Sequence, residues 1–203
     1  MKLYYSKGAC SLALHCLINE LNLPCECIAV NLATKKTEQG LDFYPINPKG
    51  AVPCLVLDDG TILTENAVLQ QYLVDTHHAE HLLPAVGNIA RYQILAWLNY
   101  ASTDLHKSCS PLFNREVPAD LKKTVFLPIL ESRLKQVNQA LADHAYIFGD
   151  ALTLPDFYIF TVLRWCPHLG VNIANYPHLQ RYFTLMAQRP SVQKALTEEG
   201  LTA

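Results

Sequence analysis

The chain has 203 residues, half of them hydrophobic, and a formal net charge of -2 at pH 7. This length and apolar content suffice for one large domain or two small ones. With 16 basic and 18 acidic residues, the chain offers no positive field to a nucleic acid or an anionic lipid surface. The composition therefore argues against nucleic-acid binding as the main function.

Hydropathy and cysteine usage indicate the compartment. No stretch approaches the roughly twenty apolar residues of a membrane span, and the first residues resemble a strand rather than a signal region. The seven cysteines are odd in number and scattered, which is typical of thiols in a reducing compartment. We expect a cytoplasmic protein without a membrane partner.

The first predicted unit is a strand, a turn and a helix that starts on a cysteine. Residues Met1–Tyr5 suit a strand, Gly8 supplies the turn, and apolar positions at helical spacing follow to about Asn22. A thiol in the first turn of a helix lies near unpaired N–H groups, which favour the thiolate. Cys10 is therefore either a reactive thiol or a small residue that packs the strand–helix junction.

A second strand is predicted at Glu26–Asn31, which completes a β-α-β unit. Cys25 and Cys27 share one face at its start. A metal or redox pair there is the less favoured interpretation, because no second ligand pair lies at zinc-site spacing, and packing is preferred. The polar, basic segment 34–37 is interpreted as a solvated loop.

Two further strands and a helix complete the predicted N-terminal sheet. Pro53 should lie at the mouth of a strand beginning at Cys54, because proline cannot donate a ladder hydrogen bond. Asp58–Gly60 is a hairpin signal. The next helix follows Thr64–Asn66, where the polar residues either cap the helix or form an anion site in which Glu65 pairs with a ligand ammonium.

A polar segment with His77, His78 and His81 separates this region from the rest. Surface solvation explains these histidines better than a metal site, since linker side chains lack further fixed ligands. Beyond Pro84 the patterns are helical, beginning with a helix over 90–107.

On that helix, residues three or four apart share a polar face that could line a cleft, and a lysine follows at its end. These residues are Asn99, Thr103, His106 and Lys107.

The remaining helices are marked by prolines and a cap. A long helix is predicted over 119–143, with Pro128 as a kink or break. Thr153 and Asp156 have the spacing of a capping box before a helix that is apolar almost all round, so Asp156 is interpreted as structural. Further helices are predicted from His178 and from Pro190.

Taken together, the motifs resemble those of the cytosolic glutathione transferases, and within them the bacterial beta class. The matching stretches span the whole chain: Tyr4–Leu12, Asn47–Pro53, Leu63–Glu65, Trp97–Tyr100 with His106–Lys107, Ser110–Phe113 and Gln188–Pro190.

The resemblance implies an α/β thioredoxin-like N-terminal domain with a four-stranded mixed sheet, followed by an all-helical bundle domain. The expected boundaries are 1–77 for the glutathione-binding domain, 78–86 for a linker and 87–203 for the helical domain. It also implies a homodimer.

The resemblance also implies roles for individual residues. Cys10 corresponds to the active-site cysteine, which faces the glutathione sulfur and can form a mixed disulfide with it. Val52 precedes the family's cis-proline and pairs with the cysteinyl part of the tripeptide. Glu65 and Asn66 hold the γ-glutamyl end, and Lys35 lies near the glycine carboxylate.

The other wall of the implied site comes from Asn99, Thr103 and His106, with Lys107 beside them. His106 joins Cys10 as a catalytic residue, and no metal is expected. Asn66 and Thr103 depart from the usual family residues: Gly or Ser is common at position 66, and Ser can stand at 103.

The implied activity is conjugation of glutathione to apolar electrophiles, with thiol–disulfide exchange through Cys10. Glutathione is a co-substrate, small electrophiles or disulfides are the other substrates, and no permanently bound cofactor is expected. The alternatives are a non-enzymatic glutathione- or ligand-binding member of the fold, and a specialised glutathione-dependent isomerase or dehalogenase.

Overall fold

The structure is a computed structural model that describes residues 1–202. Its strands are β1 (Lys2–Tyr5), β2 (Glu26–Asn31), β3 (Lys36–Thr37), β4 (Cys54–Val56) and β5 (Ile62–Thr64). They form one sheet in the order β3-β2-β1-β4-β5, and every pairing except β1 with β2 is antiparallel. The parallel pair confirms the predicted β-α-β unit.

The predicted thioredoxin-like mixed sheet is confirmed, but the predicted number of four strands is wrong. The sheet has five strands instead of four, because Lys36–Thr37 pairs with Val30 and Asn31 of β2. This short edge strand lies in the segment interpreted as a loop. Two polar residues are too few to show the alternation by which a strand is recognised in sequence.

The helices follow the predicted order along the chain. They are α1 (Leu12–Glu20), α2 (Asn66–Thr76), α3 (Ile89–Asn99), α4 (Lys107–Phe113), α5 (Ala119–Leu121), α6 (Leu127–Ala140), α7 (Leu154–Leu163), α8 (Pro177–Ala187) and α9 (Pro190–Glu198). Two π-helical segments, Tyr100–His106 and Lys122–Phe126, connect α3 to α4 and α5 to α6.

These π-helical segments are the main departure from the predicted helices. The helix predicted over 90–107 continues through Tyr100–His106 into α4, so the stretch from Ile89 to Phe113 is helical throughout. In the second long helix, Pro128 lies in the first turn of α6, directly after the segment Lys122–Phe126. A proline lacks the N–H that an α-helical bond needs, which favours a change of helix type at this point.

The chain divides into two compact units. Unit 1 comprises Met1–Ala79 together with the described residues from Ala187 onward, and unit 2 comprises Glu80–Met186. Within unit 1, α9 packs against α1, whose residues from Leu12 to Ile18 are all buried. The C-terminal helix thus belongs to the unit that holds the sheet, while the domain boundaries at 77 and 87 stay a prediction.

Unit 2 is organised around α7. All ten residues of this helix are buried, as the apolar pattern predicted. The predicted capping box is confirmed: the Asp156 carboxylate accepts hydrogen bonds from the Thr153 N–H at 2.8 Å and from its hydroxyl at 2.9 Å. The Ile147 N–H donates to the other carboxylate oxygen at 3.0 Å. Asp156 therefore fastens the preceding loop to the start of α7.

Among residues 1–202, none of the helices is both long and apolar enough to cross a membrane.

Candidate functional site

The loop before α1 holds Cys10 in a fixed position. Gly8 adopts a φ of 68°, which confirms the predicted turn, and the Ala9 N–H donates to the Ser6 carbonyl at 2.9 Å. The Ser11 hydroxyl accepts from the Ser6 N–H at 3.1 Å, which closes the loop. α1 begins at Leu12, so Cys10 lies two residues before the helix and not in its first turn as expected.

The Cys10 thiol faces the segment before β4. Its Sγ donates a hydrogen bond to the Val52 carbonyl at 3.3 Å. Val52 is followed by a cis peptide bond to Pro53, and β4 begins at the next residue, as predicted. The Asn47 amide donates to the Ala51 carbonyl at 2.8 Å and thereby shapes the approach to this segment.

Asn66, the first residue of α2, connects this helix to the cysteine loop. Its side-chain amide donates a 2.6 Å hydrogen bond to the Cys10 carbonyl, and its oxygen accepts from Gln70 at 2.9 Å. One interpretation of the sequence had Asn66 among the capping residues of α2. The structure differs, because the side chain does not cap the helix. It bonds to the cysteine loop instead.

Glu65 occupies the N-cap position of α2 in an unusual backbone conformation. Its φ is 73°, a region that non-glycine residues rarely adopt and that is common at ligand sites. The Lys49 ammonium lies 2.7 Å from its carboxylate and 3.1 Å from the Thr64 hydroxyl. An acidic group is thus presented at the start of α2, with the Lys49 ammonium beside it.

Lys35 also has a positive φ, 55°, and lies just before β3. Its ammonium donates to the Gly50 carbonyl at 2.7 Å, in the same loop that carries Lys49. Cys10 therefore contacts both the Val52 carbonyl and the Asn66 amide. Glu65 contacts Lys49, and Lys35 contacts the adjacent Gly50. All of these residues belong to unit 1.

The site residues predicted in unit 2 fall into two environments. Asn99 and Thr103 are exposed. They are neighbours on the helix, and the Thr103 hydroxyl donates to the Asn99 carbonyl at 2.9 Å. Lys107 is also exposed. His106, in contrast, packs against Trp165 with ring centroids 4.9 Å apart, and its Nδ1 lies 2.7 Å from the Tyr158 hydroxyl.

Burial controls the protonation of His106. Desolvation, assisted by the positive charge of Lys107, lowers the pKa of the imidazole to about 4. The ring is therefore neutral at pH 7. When the Tyr158 hydroxyl donates to Nδ1, the proton of the neutral ring is on Nε2, where it can be donated to another group.

Two contributors were not recognised in the sequence. Lys49 lies in a matching motif, but nothing local indicates that it pairs with Glu65, sixteen residues away. Tyr158 is part of the apolar pattern of α7 and gives no separate signal for its contact with His106. Within residues 1–202, no group of three or more His, Cys, Asp or Glu side chains is arranged to hold a metal ion.

Comparison with known sequences identifies the family. The family model described as "Glutathione S-transferase, N-terminal domain" matches residues 9–76, and "Glutathione S-transferase, C-terminal domain" matches residues 100–190. The chain belongs to the glutathione S-transferase family. The resemblance inferred from the motifs is thus confirmed, and the chain is a glutathione-conjugating enzyme.

Similar members extend over the whole chain. Glutathione S-transferase GstA of Escherichia coli O157:H7 is 45% identical over 201 residues, which cover 99% of this chain and all of the relative. The structure of BphK, a bacterial GST in a ternary complex, is 43% identical with a TM-score of 0.95, covering 99% of this chain and 100% of that one.

Two further structures support the class. A sphingomonad glutathione S-transferase complexed with glutathione is 38% identical with a TM-score of 0.94, and both chains are covered completely. The bacterial beta class transferase of Sphingomonas chungbukensis is 37% identical with a TM-score of 0.95, again over both complete chains. The assignment to the beta class is therefore confirmed.

Proposed function

We propose that this transferase binds glutathione on unit 1 with the glutathione sulfur facing Cys10. The observation that carries the proposal is the contact between the Cys10 thiol and the Val52 carbonyl, 3.3 Å apart beside the cis Val52–Pro53 bond. A sphingomonad relative, 38% identical over the full length, has been solved with glutathione. Val52 would pair through its backbone with the cysteinyl residue of the tripeptide.

The charges in unit 1 suit the two ends of glutathione. The Glu65 carboxylate would bind the γ-glutamyl ammonium, and the α2 N-terminus that begins at Asn66 would bind its carboxylate. Lys35 would bind the glycine carboxylate. The support is that Glu65 already pairs with an ammonium, that of Lys49, and that the strained conformation of Glu65 is typical of ligand sites.

From unit 2, we assign binding roles to Asn99, Thr103 and Lys107 and a catalytic role to His106. A neutral imidazole held through Nδ1 can donate Nε2–H to the glutathione thiolate without becoming a base itself. Each unit by which the pKa of that thiol falls corresponds to about 1.4 kcal/mol of stabilisation of the thiolate.

Two reactions follow, one from the thiolate of bound glutathione and one from the thiolate of Cys10. In conjugation, the sulfur attacks an electrophilic carbon of an apolar substrate, a sulfur–carbon bond forms and the leaving group departs. In thiol–disulfide exchange, the Cys10 thiolate attacks the glutathione sulfur of a mixed disulfide RSSG, the S–S bond breaks, and RS⁻ leaves and takes a proton from water. The thiolate of a second glutathione then attacks the glutathione sulfur held on Cys10, which forms glutathione disulfide and releases the Cys10 thiolate. Neither reaction needs a bound cofactor beyond glutathione.

We further propose a cytoplasmic homodimer. Apolar side chains on two helices support the dimer: Val68 on α2 is 50% exposed, and Ile89 and Tyr92 on α3 are 72% and 51% exposed. Sedimentation at micromolar concentration should give twice the chain mass, and a monomer would contradict the proposal.

The proposed function is tested by comparing the wild type with Cys10→Ser. Glutathione-dependent reduction of a small mixed disulfide and conjugation of an aromatic halide are measured on the same preparations. Reduction should fall at least about a hundredfold, because serine cannot form a disulfide, while conjugation persists because its nucleophile is glutathione. Equal loss of both activities in a folded variant that still binds glutathione would contradict separate roles for Cys10 and glutathione.

A further inference from the structure

The end of the C-terminal helix contacts the loop that carries Cys10. Helix α9 ends at Glu198, and the side chain of the next residue, Glu199, is completely buried. One oxygen of the Glu199 carboxylate accepts a hydrogen bond from the Gly8 N–H at 2.8 Å. Both residues belong to unit 1, and Gly8 lies two residues before Cys10. The carboxylate therefore holds the backbone of the cysteine loop close to the thiol.

The turn after α9 adds an apolar contact to this hydrogen bond. Gly200 adopts a φ of 62°, and the Leu201 N–H donates to the Leu196 carbonyl at 2.7 Å. A glycine with positive φ is a common way of ending a helix. The turn brings Leu201 next to Gly8, where an added Cβ would lie 3.7 Å from the Leu201 Cδ1. The chain after α9 thus packs directly on the cysteine loop.

A buried histidine holds Glu199 in place. His15 on α1 is 1% exposed, and its Nδ1 lies 3.1 Å from the second oxygen of the Glu199 carboxylate. Its Nε2 lies 2.9 Å from the Glu198 carboxylate. Because carboxylates only accept hydrogen bonds, both ring nitrogens donate when both carboxylates are ionised. A buried charge is stable only when it is paired and hydrogen-bonded, so His15 allows Glu199 to face Gly8 as a carboxylate.

The cysteine loop is held from two helices. On one side, the Asn66 amide at the start of α2 donates to the Cys10 carbonyl at 2.6 Å. On the other side, Glu199 at the end of α9 accepts from the Gly8 N–H. The hydrogen bond between Ser6 and Ser11 closes the loop but does not attach it to either helix. The position of the Cys10 thiol beside the Val52 carbonyl therefore depends on both attachments.

We propose that Glu199 is a positioning residue for Cys10. By holding the Gly8 N–H, its carboxylate keeps the Cys10 thiol where it reacts in thiol–disulfide exchange. The inference rests on the role proposed above for Cys10 in exchange. Because the Glu199 side chain is completely buried, it acts through the backbone of the loop and not on a substrate.

Two substitutions separate the reach of the Glu199 side chain from its charge. Glu199→Gln keeps the length and an oxygen for Gly8, and its amide can donate to the Nδ1 of a neutral His15. Glu199→Asp keeps the charge but is one methylene shorter, so its carboxylate should lose the bond to Gly8. A positioning role requires the glutamine variant to behave like the wild type and the aspartate variant to be impaired. A role for the charge alone predicts the reverse order.

The hydrogen bond is measured by amide exchange in NMR spectra of the full-length chain. In Glu199→Asp, the Gly8 amide proton should exchange at least about tenfold faster than in the wild type, because local opening exposes it. Buried amides of α1, such as that of Cys16, should keep their exchange rates. In Glu199→Gln, the Gly8 rate should stay within about threefold of the wild type. Equally faster exchange at Gly8 and throughout α1 would show a general loss of stability and contradict positioning.

Glu198→Ala is the matched control. Glu198 is adjacent in the chain and also contacts His15, but its other hydrogen bond goes to Asn19 and not to Gly8. The Gly8 amide of this variant should therefore exchange within about threefold of the wild-type rate. Acceleration equal to that in Glu199→Asp would show that Gly8 is protected by the packing of α9 in general, which overturns a specific role for Glu199.

Activity tests whether the hydrogen bond matters for Cys10. The kcat for glutathione-dependent reduction of a small mixed disulfide should fall at least about fivefold in Glu199→Asp and less than about twofold in Glu199→Gln. Conjugation of an aromatic halide should change less than reduction, because its nucleophile is glutathione. Unchanged reduction in Glu199→Asp despite an unprotected Gly8 amide would overturn the proposal. A folded Glu199→Gln that loses reduction would overturn it as well.

Cys10→Ser, assayed in parallel, separates this proposal from the proposed function. If Cys10→Ser loses reduction while both Glu199 variants keep it, the role of Cys10 in exchange stands and the positioning role of Glu199 is wrong. If Cys10→Ser retains reduction, the proposed role of Cys10 is wrong. The exchange rate of the Gly8 amide then still decides whether Glu199 holds the loop.

Discussion

The Asn66 side-chain amide donates a 2.6 Å hydrogen bond to the carbonyl of Cys10, 56 residues earlier in the chain. One side chain thereby joins the N-terminus of α2 to the loop that presents the thiol. Because Asn66 is almost completely buried, loss of this bond costs more than loss of a fully exposed one.

We therefore expect Asn66→Ala to loosen the Cys10 loop. The free energy of unfolding should fall by about 1–3 kcal/mol, because the Cys10 carbonyl and the Gln70 amide lose their partner. The KM for glutathione should rise together with this loss. Gln71→Ala is the matched control, since Gln71 on the same helix contacts only the backbone of Ala67 among the hydrogen bonds described. Equal effects of the two substitutions would contradict a special role for Asn66.

Glu65 and Lys49 should affect glutathione binding in different ways. Glu65→Gln removes the charge that pairs with the γ-glutamyl ammonium, so the KM for glutathione should rise about tenfold with a smaller change in kcat. Lys49→Met keeps the length of the side chain but removes the competing ammonium, so its KM should be no higher than that of the wild type. A large increase for Lys49→Met would show that Lys49 orients Glu65 for the ligand.

His106 should remain neutral over the working pH range. Its pKa of about 4 lies below the value of about 6.5 for an unfolded chain, so the unfolded state takes up the proton first as pH falls. The stability contributed by burying the neutral ring is complete above about pH 6.5 and is lost as pH falls toward 4. In an NMR titration, the His106 ring signals should have a midpoint below 5, and a midpoint near 6.5 would contradict this assignment.

Asp156 should be important for stability rather than for chemistry. Asp156→Ala leaves the Thr153 and Ile147 donors without their carboxylate, so the free energy of unfolding should fall by about 2–5 kcal/mol. Asp150→Ala, at an exposed aspartate of the same unit, is the control and should cost less than about 1 kcal/mol.

The effect of Asp156 should also depend on pH. Burial raises the pKa of this carboxyl to about 6, above the value of 3.8 expected when the chain is unfolded. The folded state thus holds the proton more tightly, and the stability gained from the protonated carboxyl is lost as pH rises from about 4 through 6. Chemical denaturation should show a larger deficit for Asp156→Ala at pH 4.5 than at pH 7.5.

Local patterns were sufficient for much of this fold. Pro53 before β4, the Asp58–Gly60 hairpin, the Thr153–Asp156 capping box and the start of α9 at Pro190 each depend on a few neighbouring residues. Their conformational preferences can therefore be recognised without knowledge of the tertiary structure. The family resemblance supplied the candidate residues of the site.

What the sequence could not supply depends on contacts between distant residues. The change from α- to π-helix at Tyr100 leaves the apolar pattern intact, so the turning of His106 toward Trp165 is not visible in the spacing. Equally, nothing near Asn66 indicates a bond to Cys10, and nothing near His15 indicates Glu199. Such pairs are formed only when the chain has folded.

During translation, Gly8 is synthesised long before its partner Glu199. These residues are hydrogen bonded but lie 191 positions apart, and the continuous unit 2 is synthesised between them. At about 5–20 residues per second, roughly 10–40 s pass before the partner of Gly8 exists. Unit 2 is complete at Met186, before α9 has been made. During translation, the loop that carries Cys10 therefore lacks the hydrogen bond from Gly8 to Glu199.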